Sequence, residues 1–137
     1  HASCHGNTAA CIEDFAKELE AAGEEVEVID LNTEDVSEAV EKCFMYDRIV
    51  LGAITYDGAL FPTMQDLLYH LSIKNFQNRK FAIIENGSWA PVAGKKMREQ
   101  VEALKGCEVL EPVITLKTRR TKADDAKFDE LKKALLG

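Results

Sequence analysis

The chain has little of what marks the more easily recognised protein classes. Among its 137 residues are only four cysteines, three histidines, three prolines and one tryptophan, and aromatic residues total 7%. Cys4, Cys11, Cys43 and Cys107 form no C-x-x-C pair, and their spacing fits no zinc site. Cys11 and Cys43 fall among apolar helix positions, where cysteine acts as a small hydrophobe, and the pattern suits a reducing compartment. The sequence shows no signal-peptide pattern and no apolar run of about 18 residues, so the expectation is a cytoplasmic location without a membrane role. Basic surplus is missing as well. The net charge is −7 and the pI about 5.0, which argues against a nucleic-acid or anionic-membrane surface. No His, Asp and Glu cluster has metal-ligand spacing, and the closing Gly-Lys-Ser/Thr of a nucleoside-triphosphate loop is absent. Linkers, repeats and low-complexity segments are absent too.

What is there fits one domain. A chain of this length can bury roughly two-thirds of its unfolded surface and so support a core without staples. Ile12, Phe15, Ala16, Leu19 and Ala22 recur at spacings of three and four, a helical stripe capped by Asn7 or Thr8 and ended by Gly23. "EEVEVIDL" reads as a strand and "DVSEAVEKCFMY" as a helix. "RIVLGAITY" is an apolar run of the kind expected in a strand covered on both faces. "LFPTMQDLLYHLSI" is a helix with Pro62 in its first turn, "KFAIIENG" a second buried strand, and "PVAGKKMREQVEALKG" a helix. "EVLEPVITLK" carries a proline and so reads as an edge strand or a broken one. "DDAKFDELKKALLG" closes the chain as an amphipathic helix. The α-β-α-β-α-β-α-β-α order implies an α/β fold, a doubly wound parallel sheet with helices on both faces. In the strand order 2-1-3-4-5 the first strand is central. Here it would precede "SCHGNT", and it is largely absent; the expectation is that the chain starts inside a longer polypeptide.

Ligands of such sheets sit beyond the carboxyl ends of the strands, which singles out three loops. Ser3-Cys4-His5-Gly6-Asn7-Thr8 offers hydroxyls, an amide and a glycine just before a helix N-terminus. That is a phosphate cradle without a lysine, suited to a monophosphate. Ordinary helix capping accounts for Asn7 or Thr8 alone, not for the whole polar loop. Thr55-Tyr56-Asp57-Gly58-Ala59-Leu60-Phe61-Pro62 sets an aromatic beside a glycine turn, a combination that suits a flat aromatic ligand. Glu85-Asn86-Gly87-Ser88-Trp89-Ala90-Pro91 carries the single tryptophan among small polar residues. Elsewhere the signals are plain. His70 reads as a surface or half-buried helix residue, "KTRRTK" at 117–122 as a solvated loop or a docking patch, and 124–133 as a charged helix face.

"SCHGNT", "TYDGALFP" and "ENGSWAP" together resemble the three FMN-binding loops of the flavodoxin-like domain of A-type flavoproteins, the flavo-diiron family. The resemblance runs in order from Ser3 to the last helix. It implies a noncovalent FMN domain that delivers electrons to a di-iron, oxygen- or nitric-oxide-reducing domain not contained in this chain, which has no H-x-[EH]-x-D run. Ser3, His5, Gly6, Asn7 and Thr8 match its phosphate loop, with Cys4 at a tolerant position. Thr55, Tyr56, Asp57, Gly58, Ala59 and Leu60 match the loop beside the isoalloxazine. Asn86, Gly87, Ser88, Trp89 and Ala90 match the loop at its other edge, with Trp89 the stacking partner. No catalytic residue is implied. The implied partners are a redox donor (rubredoxin-like or a flavin reductase), the di-iron domain and a second copy in a homodimer. Glu85-Asn86 departs from the related pattern; a Glu85 carboxylate near the ring would disfavour an anionic reduced flavin. The competing expectations are an NAD(P)H-dependent quinone or azo reductase on the same fold, a receiver-type signalling domain, which Ser3 and Thr55 contradict at the strand ends, and a flavin-free structural domain.

Overall fold

The computed structural model describes residues 1–2, 7–56, 59–87, 91–117 and 120–137, without the side chains of residues 7, 55, 56 and 59. Its elements are α1 (Asn7–Ala21), α2 (Val36–Met45), β1 (Arg48–Tyr56), β2 (Ala59–Leu60), α3 (Pro62–Ile73), β3 (Lys80–Asn86), α4 (Ala93–Glu102), β4 (Glu108–Val109), β5 (Ile114–Leu116), a 3-10 turn at Lys122–Asp124 and α5 (Asp125–Leu136). β1 and β3 run parallel from Arg48↔Lys80 to Ile54↔Asn86. β4 and β5 both pair in parallel with β3, at its start and its end. They are two halves of one edge strand, interrupted around Pro112, as the proline suggested. β2 folds back antiparallel on the end of β1, Thr55 opposite Leu60. That short return was not foreseen.

Period-two alternation sends β3 to two cores. Phe81 and Ile83 join Leu51, Met64, Leu68, Leu71, Met97 and Val101 on the face covered by α2, α3 and α4. Ala82 and Ile84 join Ile12, Phe15, Ile114, Phe128 and Leu131 on the face covered by α1 and α5. There the Phe15 and Phe128 rings meet edge to face at 5.3 Å. Each such fully buried side chain contributes roughly 1.5–3 kcal/mol, and both faces of β3 collect it.

On the other side of β1 the ladder is short. Ala2 bridges Ala53 in parallel, its N–H donating to the Gly52 carbonyl at 2.9 Å. The amino group of His1 donates to Ile29 O at 2.8 Å, and Leu31 N–H donates to His1 O at 3.0 Å. His1 and Ala2 thus lie between β1 and residues 29–31, the place of a central strand in the expected order. Below them a cavity of about 370 Å³ separates residues 24–29 from Arg48–Leu51. "EEVEVIDL" is therefore not a regular strand here, because a strand exists only through its ladder and two residues offer almost none. Among the described residues no helix is long and apolar enough to cross a membrane.

Candidate functional site

Three chain segments end at the carboxyl edge of β1 and β3. The first is the start of α1. Gly52, within the apolar β1, lets that helix approach the sheet. A Cβ there would lie 2.7 and 2.8 Å from Ile12 Cδ1 and Cγ1 and 3.3 Å from Thr8 Cγ2. Thr8, in the first turn of α1, is fully buried, and its Oγ1 has no hydrogen-bond partner among the described residues. A buried hydroxyl without a partner costs roughly 1–3 kcal/mol. No acidic residue stands in the first turn of α1, so the positive end of the helix dipole keeps its pull on an anion. α2 differs: Asp35 caps it by accepting from Ser37 N–H at 2.8 Å, and Glu38 stands in its first turn.

The second segment is the β1–β2 return. Its backbone is fixed by the Thr55↔Leu60 and Tyr56↔Ala59 pairs. The Leu60 side chain is 4% exposed and belongs to the α3-side core. What Leu60 can offer a ligand is backbone. The third segment leaves β3 at Asn86, which is buried on the side of the sheet facing α1. Gly87 N–H donates to Leu116 O at 2.9 Å, so that amide is engaged in holding the loop to β5. Ser3, Cys4, His5, Gly6, Asp57, Gly58, Ser88, Trp89 and Ala90 lie outside the described residues, as do the side chains of Asn7, Thr55, Tyr56 and Ala59. The described parts of all three loops meet at one end of one sheet.

Glu85 is the residue the sequence placed least well. It points to the α4 face, opposite to Asn86, and is 8% exposed. Its Oε1 accepts the Gly94 N–H at 2.9 Å and its Oε2 accepts the Thr115 hydroxyl at 2.8 Å. α4 has Val92 as its N-cap without a side-chain cap bond and no acid in its first turn. Glu85 supplies that function from the neighbouring strand. Gly94 makes the room: a Cβ there would lie 2.5 Å from Glu85 Oε2. A glycine one turn inside "PVAGKK" and an acid within an apolar strand were the available signals, and neither named the other.

Nearby thiols are inert. Burial pushes Cys11 and Cys43 up to about 11 from 9.0, so neither is a nucleophile at neutral pH. Among the described residues no three His, Cys, Asp or Glu side chains come together as metal ligands. Arg120, in the basic run, is not a free docking charge. It is held by Glu18 at 3.0 Å and Asp125 at 3.1 Å and lies 4.1 Å over the Phe128 ring.

A twisted parallel sheet with helices on both faces, and helix starts gathered at the carboxyl ends of its strands, defines a doubly wound α/β protein with its ligand site at that edge. The chain belongs to the flavodoxin domain family, which matches residues 1–118. Membership implies FMN binding, and flavodoxin with FMN is itself a stock illustration of the edge-site rule. Flavodoxin 1 from Bacillus cereus superposes with a TM-score of 0.81 at 24% identity, covering 98% of this chain and 92% of that one. A flavodoxin from the domain Archaea gives 0.76 at 23%, covering 96% and 87%. Rubredoxin oxygen:oxidoreductase from Desulfovibrio gigas gives 0.89 at 15% identity, covering 98% of this chain and 33% of that one. The chain spans about a third of that enzyme. No curated protein sequence matches it.

Residues present fit the cofactor. The buried Thr8 hydroxyl, without a partner among the described residues, and the start of α1, without an acid in its first turn, suit an anionic acceptor such as a phosphate.

Proposed function

We propose that the chain is a noncovalent FMN-binding electron-transfer module that passes electrons to a di-iron domain reducing oxygen or nitric oxide. The observation that carries the flavin part is Thr8: a fully buried hydroxyl with no described partner, at a helix start free of acidic side chains. The bound flavin would supply reversible one- and two-electron chemistry. The chain's own work is to hold and shield it. Ser3, His5, Gly6, Asn7 and Thr8, with Cys4 beside them, would bind the phosphate. Residues Thr55 to Leu60 would flank one edge of the ring, and Asn86 to Ala90 the other, with Trp89 stacking on it.

The di-iron assignment draws support from shape. The D. gigas oxidoreductase and a flavodiiron protein from Giardia intestinalis superpose at TM-scores of 0.89 and 0.86, above the 0.81 and 0.76 of the two flavodoxins. A rubredoxin-like protein or a flavin reductase would then be the donor, in the cytoplasm, and the working unit a homodimer.

The test is the visible spectrum of the chain mixed with FMN and freed of unbound flavin. Retained, shifted flavin bands with quenched fluorescence are expected. A chain that circular dichroism shows to be folded, yet retains no flavin, overturns the reading. Steady NAD(P)H oxidation by the chain alone would replace it with the quinone or azo reductase.

A further inference from the structure

Glu85 joins three pieces of chain that sequence keeps apart. Its own strand, β3, delivers the segment 86–92. Gly94 stands at the start of α4, where that segment ends. Thr115 belongs to β5, to which Gly87 is also tied. In sequence, the segment that carries Trp89 runs between two described anchors, the end of β3 and the start of α4, and one carboxylate clamps these to each other and to β5. The clamp is built in detail. The carboxylate is 8% exposed, each oxygen has a donor, and Gly94 lacks the Cβ that would collide with it. Buried carboxylates are rare unless paired, and this one has no cation beside it in any described contact; its partners are a helix-start amide and a hydroxyl.

We propose that Glu85 is a positioning residue: it fixes the end of β3 and the start of α4, the two chain ends between which the Trp89 segment runs, and through them tunes the ring side of the proposed flavin site without itself touching the flavin. The shape and hydrogen bonds of the side chain do this, rather than its charge. A glutamine reproduces both contacts, its oxygen accepting from Gly94 N–H and its NH₂ donating to the Thr115 oxygen. An alanine reproduces neither. The proposal differs from the simple expectation of charge repulsion at the ring, under which Glu85→Gln and Glu85→Ala would change the reduction potential alike.

Trp89 is the single tryptophan, so the intrinsic tryptophan fluorescence of the flavin-free chain reports on this loop alone. In Glu85→Ala its emission maximum and acrylamide quenching should change, while Glu85→Gln keeps both at the wild-type values. Leu131→Ala, in the α5 core, serves as a control that lowers the melting temperature and leaves Trp89 unmoved. In the flavin-loaded protein, a part that rests on the proposed function, Glu85→Ala should weaken FMN and riboflavin alike, by roughly tenfold. The two flavins share the ring and differ in the phosphate. Glu85→Gln should stay within about twofold of wild type for both, with the reduction potential unmoved.

Should Glu85→Ala fail to fold, Thr115→Val removes one of the two contacts from the edge strand and should move Trp89 in the same direction by less. An unchanged Trp89 signal in a folded Glu85→Ala, or a Glu85→Gln that behaves as the alanine does, overturns the proposal. Failure of the wild-type chain to hold any flavin overturns the proposed function instead, and the fluorescence result still decides the role of Glu85.

Discussion

Thr8→Val should make the flavin-free protein more stable and its FMN complex weaker. Valine has nearly the shape of threonine and a similar helix propensity, so the substitution exchanges a hydroxyl for a methyl and little else. The Thr8 hydroxyl is buried without a described partner. Leaving such a group unsatisfied costs roughly 1–3 kcal/mol, and the methyl removes that cost. A gain of about 1 kcal/mol should raise the melting temperature by about 3–5 °C in a domain of this size. The flavin should read the opposite sign. A hydrogen bond from this hydroxyl to a phosphate oxygen is worth roughly 1.5–3 kcal/mol, so the Kd for FMN should rise about 10- to 150-fold. Riboflavin, lacking the phosphate, should bind the variant as it binds the wild type. Thr8→Ser keeps the hydroxyl but loses the methyl that packs over Gly52; it should lose stability and hold its FMN affinity within a few-fold. Calorimetry without flavin and fluorescence titration with each flavin measure these quantities. A less stable Thr8→Val with undiminished FMN affinity would refute the reasoning, since the hydroxyl would then have its partner within the protein. Equal loss for FMN and riboflavin would refute it too.

Two further outcomes follow from the packing. The Cys11 and Cys43 thiols titrate near 11 in the fold against 9.0 outside it. Their folded values are raised, so the stability they confer is complete below pH 9 and lost as pH rises from 9 to 11, about 2–3 kcal/mol for Cys43. Denaturant titrations across that range should show the decline, and iodoacetamide at pH 8 should label Cys107 in the native protein but Cys11 and Cys43 only on unfolding. Arg120→Ala should cost about 2 kcal/mol, because it strips Glu18 of its partner and uncovers Phe128. Arg120→Lys should recover less than half of that, since an ammonium cannot hold two carboxylates and stack at once; full recovery would show that charge alone matters there.

Much of the fold was legible because its signals are local. "RIVLGAITY" became β1 residue for residue, and "DVSEAVEKCFMY" became α2 with Asp35 as its cap. Pro112 announced the interruption between β4 and β5. What escaped the sequence depends on partners distant along the chain. "EEVEVIDL" has a strand's alternation, but among the described residues only His1 pairs with it. The basic run at 117–122 looked solvated, yet Arg120 reaches Glu18 on α1, a contact no local pattern encodes. At the site, the glycine and hydroxyl content of the first loop was readable, and so was a helix start at Asn7 or Thr8. That Thr8 would be buried with no described partner for its hydroxyl was not, because its burial depends on Gly52 having no side chain. Glu85 was weighed only for what its charge would do if it lay near a ring; the fold turns it to the α4 face, where Gly94 and Thr115 take both its oxygens.

The starts of α1 and α4 are treated in opposite ways, and in the proposed site the difference would orient a ligand. At α4 the positive end of the dipole meets the Glu85 carboxylate, so the field there is largely cancelled. At α1 no acid stands in the first turn, and the buried Thr8 hydroxyl has no described partner. An elongated molecule with one anionic end and one flat, neutral end gains at α1 by its charge and meets no opposing pull at α4. Reversing it would bring the anion to a buried carboxylate, where like charges in a water-poor setting repel strongly. FMN has that polarity, with its phosphate at one end and its ring at the other. In the proposed site, discrimination between the two orientations would therefore rest on the placement of one carboxylate and the absence of another. Adding an acid at the start of α1, as in Ala9→Asp, should weaken FMN far more than riboflavin; if both weakened equally, the α1 field would not be what seats the phosphate.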